Sequence, residues 1–157
     1  AIPQPLSPFN WMAVVEQPAT YHLSYISLLR DVTPPEPPAD ASWLRSLSAS
    51  YRPVKAAQWQ QVPRYGAVDA DVTLVQAAWQ ADALARYRDF ALFPAVYRVA
   101  RGPARTCVWF QDLRFAIRGR ALPFRYGACR ADGDAPWKVY PLSGDNDGSA
   151  WLEKIPD

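Results

Sequence analysis

The chain has 157 residues, half of them hydrophobic, and its 17 basic residues nearly balance its 15 acidic ones to give a net charge of +2. This length suffices for one domain that buries most of its surface on folding. The balanced charge gives no basic footprint of the kind that nucleic-acid-binding proteins carry. No apolar run in the sequence reaches the roughly 18 residues of a membrane-spanning helix. We therefore expect a folded domain that neither binds nucleic acid nor inserts directly into a membrane.

The first eight residues contain three prolines, at positions 3, 5 and 8. Prolines favour an extended backbone with few internal hydrogen bonds, which is typical of linkers. This composition predicts a proline-rich linker over residues 1–8 and a single soluble α+β domain over residues 9–157. It also indicates a piece of a longer protein, with a mature chain after signal-peptide cleavage as the alternative.

Two apolar segments near the start of the chain are predicted to pair as strands. Residues 9–15 form the first segment, and residues 21–29 form the second, which alternates in polarity for part of its length. The polar stretch between them includes Pro18, which cannot donate a hydrogen bond to a sheet. A β-hairpin follows from this pattern. Four prolines within residues 31–40 then predict a connector without regular structure.

Helical patterns follow the connector. Asp40 or Ser42 is predicted to cap a short helix that begins at Trp43, and a second short helix is predicted from about residue 53 to residue 59. The clearest helix is predicted over residues 69–90, because apolar residues recur there at spacings of three and four. This stripe, which we expect to pack on a sheet, consists of Val72, Val75, Trp79, Ala83, Tyr87 and Phe90.

The strongest structural signal is the stretch of residues 105–130, which predicts two long strands that meet at a turn near Gly119. Its arms are rich in β-branched and aromatic residues, which suit a half-buried pleated sheet. Folding the hairpin about this glycine sets Trp109 against Gly127. Further strands are predicted near residues 95–100 and 137–142, and the tail of residues 143–157 is expected to be anchored by Trp151 and Leu152.

The same hairpin register places Cys107 opposite Cys129. Cross-strand neighbours are about 4.5 to 5.5 Å apart at their Cα atoms, which lies in the range that a disulfide accepts. The two residues are therefore predicted to form either a structural disulfide or a pair of buried thiols. A disulfide would imply an oxidising compartment.

Strands, then helices, then strands predict the α+β class. We expect an antiparallel sheet of about five or six strands, with one long helix and one or two short helices packed on one of its faces.

Few residues suggest catalysis, and no catalytic residue or metal ligand is predicted. His22 is the single histidine, and no serine or cysteine motif accompanies it. The acidic groups at residues 132–134 and 145–148 resemble parts of cation loops, but ordinary turn chemistry explains their Asp, Asn and Gly residues.

Three polar residues are embedded in apolar stretches and are candidates for a structural polar cluster: Glu16, Asp112 and Arg114. The last two are two positions apart in the predicted central strand. They would therefore share one face of the sheet, where they could form an ion pair.

Several short motifs occur in an order that resembles a known family. They are Pro8-Phe9-Asn10-Trp11, Val14-Val15-Glu16, Phe90-Ala91-Leu92-Phe93-Pro94, Asp112-Leu113-Arg114-Phe115 and Pro123-Phe124. This pattern resembles the C-terminal region of the YdjM-type family of bacterial inner-membrane proteins, which are described as membrane-bound metal-dependent hydrolases. In that family an N-terminal part carries the membrane helices and the suspected metal-binding motifs. The chain is similar to the extramembrane domain that follows them.

The resemblance implies an accessory, non-catalytic extramembrane domain whose partner is its own N-terminal membrane region. It implies no cofactor in this domain, a divalent metal in the membrane part, and a place at the bacterial inner membrane with the periplasmic side favoured. No metal ligand carries over, because no position here matches one. Two other hypotheses stay open. One is a small-molecule or lipid-binding module that holds an apolar ligand between sheet and helix, and the other is a self-contained hydrolase that uses the acidic clusters.

Overall fold

A computed structural model describes residues 1–4, 7–66, 69–116, 123–131, 133 and 135–142. The chain divides into two compact units, one spanning Ala1–Val62 and the other built from Pro63–Ala116 and Ala121–Asp157. The class is α+β, as predicted. The nine strands of the described residues form a five-stranded and a four-stranded sheet instead of one sheet. A second compact unit arises because the early strands pair among themselves and the late strands do the same.

The first unit holds a five-stranded sheet and one short helix. Its strands are β1 (Ile2–Gln4), β2 (Ser7–Glu16), β3 (Thr20–Ser27), β4 (Arg52–Pro53) and β5 (Gln60–Pro63), and its helix is α1 (Trp43–Ala49). The strand order is β1-β2-β3-β4, and β5 also pairs with β3. The first three strands are antiparallel, whereas β3 and β4 run parallel.

The linker predicted for residues 1–8 is wrong for the residues described there, since β1 and the start of β2 lie in this segment. Pro3 pairs with Trp11, and the register of the pairing shifts between Pro3 and Gln4. A proline is tolerated because β1 is an edge strand, where a missing N–H need not interrupt a ladder. Proline content alone therefore could not separate a linker from an edge strand.

The predicted hairpin is confirmed as β2 and β3, with Pro18 in its turn. The turn is closed by two backbone hydrogen bonds. Gln17 N–H donates to the Thr20 carbonyl at 2.9 Å, and Thr20 N–H donates to the Gln17 carbonyl at 3.3 Å.

Of the two short helices predicted after the connector, one is formed. Ser42 caps α1 by accepting a hydrogen bond from Arg45 N–H at 3.4 Å. The second is reduced to a single 3₁₀ turn at Val54–Ala56, because Ala57 adopts an extended backbone with φ −56° and ψ 130°.

The second unit holds a four-stranded antiparallel sheet and two helices. The helices are α2 (Asp69–Gln80) and α3 (Ala85–Phe90), joined through a 3₁₀ turn at Asp82–Leu84. The strands are β6 (Pro94–Arg101), β7 (Arg105–Asp112), β8 (Arg125–Ala131) and β9 (Lys138–Leu142), and a 3₁₀ turn at Leu113–Phe115 follows β7. They are ordered β6-β7-β8-β9 along the sheet.

The helix predicted over residues 69–90 is broken at Ala81, whose backbone is extended with φ −59° and ψ 142°. The guanidinium of Arg88 donates hydrogen bonds to the carbonyls of Trp79 and Ala81, the latter at 2.7 Å. These bonds satisfy carbonyls that a helix end leaves without intrahelical partners. Apolar periodicity did not reveal the break, because the buried stripe continues from Trp79 to Tyr87 across it.

The core of the second unit lies between the helices and one face of the sheet. It consists of Val75, Ala78, Trp79, Leu84, Tyr87, Val108, Phe110 and Ala128. The Trp79 ring lies 5.0 Å from the Phe110 ring and 6.0 Å from the Tyr87 ring, measured between centroids. Aromatic pairs at these distances add to the free energy gained by burial. Three of the six stripe residues, Val75, Trp79 and Tyr87, therefore pack on the sheet as predicted. Leu84 is buried in place of Ala83, and Phe90 is 43% exposed.

The central hairpin has the predicted register, with Cys107 opposite Cys129 and Trp109 opposite Gly127. Its arms are shorter than predicted, since β7 ends at Asp112 and β8 begins at Arg125, and the turn predicted near Gly119 lies outside the described residues. Because successive side chains of β7 point to opposite faces of the sheet, Val108 packs against the helices and Trp109 lies on the other face. A Cβ atom at position 127 would lie 2.3 to 2.6 Å from carbon atoms of the Trp109 ring. The glycine is required here because the indole ring occupies the space that any side chain would take.

We expect Trp79→Ala to lower the free energy of unfolding by about 3–5 kcal/mol, because it removes a large buried ring from the core. Guanidinium denaturation followed by circular dichroism measures the change. Gln76→Ala, an exposed position on the same helix, serves as the control and should stay within about 0.5 kcal/mol of the parent. An unchanged midpoint for Trp79→Ala would contradict the packing described above.

We expect Gly127→Ala to destabilise the second unit by about 1–3 kcal/mol or more, because the fully buried Trp109 ring has no room to retreat. Thermal unfolding measures the loss. In a Trp109→Leu background the same substitution should cost less, since the smaller side chain makes room for the methyl group. Equal losses with and without the Trp109 substitution would show that this contact is not the cause.

Candidate functional site

Asp112, the last residue of β7, lies at the centre of the candidate site and has no solvent exposure. Its carboxylate accepts hydrogen bonds from three backbone amides. These are the N–H groups of Leu92 at 3.1 Å, Phe93 at 3.3 Å and Arg114 at 2.9 Å. A buried carboxylate is tolerated only when it is paired and hydrogen-bonded in this way.

The Arg114 side chain completes the set of donors. Its Nη2 atom lies 2.8 Å from Asp112 Oδ2 and also donates to the Phe90 carbonyl at 3.0 Å. The centre of the guanidinium is 4.7 Å from the ring centroids of both Phe90 and Phe115. The arginine therefore combines an ion pair with two cation–π contacts, and it ties α3 to the end of β7.

The structure joins Asp112 and Arg114 as predicted, but not within one strand. The strand ends at Asp112, and Arg114 lies in the 3₁₀ turn that follows. The Asp112 side chain accepts from Arg114 N–H, and such local bonds compete with continued strand pairing. Glu16, the third residue of the predicted cluster, is an exposed residue at the end of β2 in the other unit.

Four apolar residues at this end of the sheet form what we call the aromatic patch: Phe90, Leu92, Phe115 and Phe124. Their ring centroids are 6.1 Å apart for Phe90 and Phe115, 4.9 Å for Phe115 and Phe124, and 5.9 Å for Phe90 and Phe124. Phe90, Leu92 and Phe124 remain 43%, 59% and 50% exposed. The three neighbouring rings and the exposed Leu92 make this part of the surface a candidate interaction site.

Phe124 holds an unusual backbone conformation. Among the residues described, it is the only one other than glycine with a positive φ, at 57°. A bulky residue in this region is strained unless neighbouring contacts hold it, and such strain concentrates at functional positions. The strain therefore adds to the reasons for treating the aromatic patch as functional.

Tyr87 lies at the base of the aromatic patch and is 5% exposed. Its ring centroid is 4.9 Å from that of Tyr126 and 6.4 Å from that of Phe90. Burial raises the pKa of Tyr87 well above its ordinary value, Asp112 and Tyr126 raise this pKa further, and Arg114 lowers it. The phenol therefore stays neutral throughout the physiological pH range.

The two cysteines are joined in a disulfide, with Cα atoms 4.0 Å apart. Both are buried, on the face of the sheet that carries Trp109 and away from the helices. The bridge links β7 and β8, the two strands whose other ends carry Asp112 and Phe124. It therefore fixes the register of the strands on which the candidate site is built.

The remaining candidates contribute no site. The Nε2 atom of His22 lies 3.2 Å from Gln17 Oε1, an exposed contact within the first hairpin. Residues 132, 134 and 143–157 lie outside those described, so the acidic groups and the anchors Trp151 and Leu152 are not placed. Within the described residues no group of three or more potential metal ligands is found, and no helix there could cross a membrane.

No protein-family model, no curated protein and no solved structure matches the chain. The sequence pointed to Asp112 and Arg114 through their polarity within an apolar stretch. It did not predict that three separate motifs meet around them. Phenylalanine next to proline at strand ends, as in Phe93-Pro94 and Pro123-Phe124, is the signal that could have suggested it.

We expect Asp112→Asn to destabilise the protein by about 3–5 kcal/mol, because it removes the charge partner of Arg114 and turns an amide donor toward the donors around it. Chemical denaturation measures the loss. The matched control is Asp89→Asn, an exposed carboxylate on α3, which should change stability by less than about 0.5 kcal/mol. Equal effects of the two substitutions would rule out the anchoring role of Asp112.

Alkaline pH should destabilise the protein through its buried tyrosines. Burial raises the pKa of Tyr51 to about 12, with a further contribution from Tyr25, whereas an unfolded tyrosine ionises near pH 10. The stabilisation is complete below pH 10 and is lost as the pH rises through about 12. In a pH titration followed by tyrosinate absorbance at 295 nm, part of the absorbance increase should occur well above pH 10. The Tyr51→Phe substitution should reduce this part. Ionisation of all eight tyrosines near pH 10 would contradict this expectation.

Proposed function

We propose that the chain is an accessory, non-catalytic extramembrane domain of a membrane-bound metal-dependent hydrolase. Its partner in this proposal is the N-terminal membrane region of the same protein. The observation that carries the proposal is that two motifs meet at the buried carboxylate of Asp112, while the ring of Phe124 from a third motif packs on Phe90 and Phe115 beside it.

The motifs contact one another through hydrogen bonds and ring packing. Asp112 accepts from the amides of Leu92 and Phe93, and Leu113 N–H donates to the Phe93 carbonyl at 3.0 Å. The Phe124 ring packs on Phe115. Each motif thus depends on the others for its geometry, which gives a physical reason for their occurrence together. Three of the five motifs that carry the family resemblance thus lie together in the second unit, whereas the other two lie in the first unit.

The chemistry of the site favours an anchor over a catalyst. The two oxygens of Asp112 accept hydrogen bonds from three amides and from the Arg114 guanidinium, and the residue has no solvent exposure. A general base must reach the proton that it removes from a substrate. A carboxylate engaged on all sides by its own chain instead holds the segments around it in place.

The aromatic patch is the proposed contact surface for the membrane region. Its rings rest on a base fixed by Asp112, Arg114 and the buried Tyr87. Burying half-exposed Phe and Leu side chains against a partner is favourable, at roughly 25 cal/mol for each Å² removed from water. Aromatic side chains on a rigid base also lose little conformational freedom on binding, and they often supply most of the binding energy at interfaces.

The proposed location is the periplasmic side of the bacterial inner membrane. The disulfide between Cys107 and Cys129 supports an oxidising compartment. The alternative function, a module that holds an apolar ligand between sheet and helix, has less support. In the second unit that space is taken by packed side chains such as Trp79 and Phe110.

We expect the coding sequence directly upstream of Ala1 to specify several membrane helices. When the domain and that membrane region are co-expressed as separate chains, the domain should bind to the membrane region. The double substitution Leu92→Ser and Phe124→Ser should weaken this binding at least about tenfold. Val139→Ser is the control, because this exposed side chain lies on β9. An upstream sequence without membrane helices, or equal retention of all variants, would contradict the proposal.

The isolated domain should not hydrolyse phosphate esters, acyl esters or peptides, with or without divalent metal ions. Activity that survives purification, and that is lost when the acidic residues of either 132–134 or 145–148 are substituted, would favour the self-contained hydrolase instead. This assay is independent of the retention experiment, so either half of the proposal can fail alone.

A further inference from the structure

The disulfide occupies the two central strands of the four-stranded sheet. Cys107 on β7 has no solvent exposure, and Cys129 on β8 is 4% exposed. Both outer strands are paired at this level, because Ala100 of β6 lies opposite Cys107 and Lys138 of β9 lies opposite Cys129. The bridge is therefore flanked by completed strand pairing on both sides.

Neighbouring side chains close the space around the sulfur atoms. Ala100, Trp109 and Leu142 form one buried cluster with the two cysteines, and Tyr140 packs against it. Thiol–disulfide exchange requires a thiolate to reach a sulfur atom, so its rate depends on access as well as on thiol chemistry. Because Cys107 has no solvent exposure and Cys129 is only 4% exposed, an incoming thiolate has little access to the bridge in the folded sheet.

We infer that the bridge forms while β7 and β8 are paired but before β6 and β9 complete the sheet, by exchange with a disulfide-bearing oxidant. The register of the β7–β8 hairpin alone places the two cysteines opposite each other. The oxidant thus reacts with the β7–β8 hairpin. Once the unit has folded, the bridge is protected from thiol–disulfide exchange.

The exchange is balanced in two steps. The thiolate of one cysteine attacks a sulfur of the oxidant's disulfide, which forms a mixed disulfide and releases one oxidant thiolate. The thiolate of the second cysteine then attacks the cysteine sulfur of that mixed disulfide, which forms the Cys107–Cys129 bond and releases the second oxidant thiolate. The oxidant gains two electrons, and the two cysteine protons pass to solvent or to the released thiolates.

The first test measures reduction of the oxidised protein by dithiothreitol, with and without denaturing urea, by alkylating free thiols and counting them by mass spectrometry. Reduction under native conditions should be at least about 100-fold slower, because it requires an opening that approaches global unfolding. Native and unfolded rates within about tenfold of each other would overturn the inference, since exposed disulfides exchange at rates set by thiol chemistry alone.

Two variants on β9 sharpen this test. Leu142→Ala removes a buried member of the cluster and should accelerate native reduction at least about tenfold, because core truncation lowers the cost of opening. Val139→Ala alters the same strand at an exposed position and should stay within about twofold of the parent. Equal acceleration by both variants, or by neither, would count against a barrier formed by this cluster.

The second test starts from reduced protein and uses oxidised glutathione as the oxidant. Bridge formation should be fast when glutathione is present during refolding, and at least about 100-fold slower when it is added after folding is complete. A reduced chain that cannot complete its fold also supports the proposed order, because the bridge must then come first. Fast oxidation of fully folded, reduced protein would overturn it.

Discussion

The second unit depends on the hydrogen bonds and the ion pair made by the buried carboxylate of Asp112. It holds the loop after α3, the end of β7 and the guanidinium of Arg114 in one arrangement. A charge without solvent exposure would be costly if any of these donors were withdrawn. The same bonds support the exposed rings above them, so the stability of the fold and the shape of the candidate contact surface have a common source.

Recognisable residue types and spacings predicted part of the fold. Pro18 marks the first turn because it lacks an N–H group, and the positions of Cys107 and Cys129, symmetric about Arg118, give the register of the central hairpin. In both cases residue type and spacing contain the needed information, even though the two cysteines are 22 residues apart. The α+β class follows from the order of these elements along the chain.

Features that depend on side-chain contacts or on edge pairing, which leave no pattern in the sequence, were not predictable in the same way. The break at Ala81 is stabilised by Arg88, whose side chain reaches back to the end of α2. The turn after Asp112 depends on donors from another loop, and β1 forms only because β2 offers it an edge. Of the site, the ion pair was foreseen from its polar residues, whereas the aromatic patch required knowledge of which strand ends lie together.

The backbone of Phe124 links the conformation of one residue to the shape of the surface. Glycine or asparagine would adopt a φ of 57° with less strain, but neither would supply the ring that packs on Phe90 and Phe115. The contacts of that ring therefore offset the strain of the backbone, and the same conformation sets the direction in which the half-exposed ring leaves the chain.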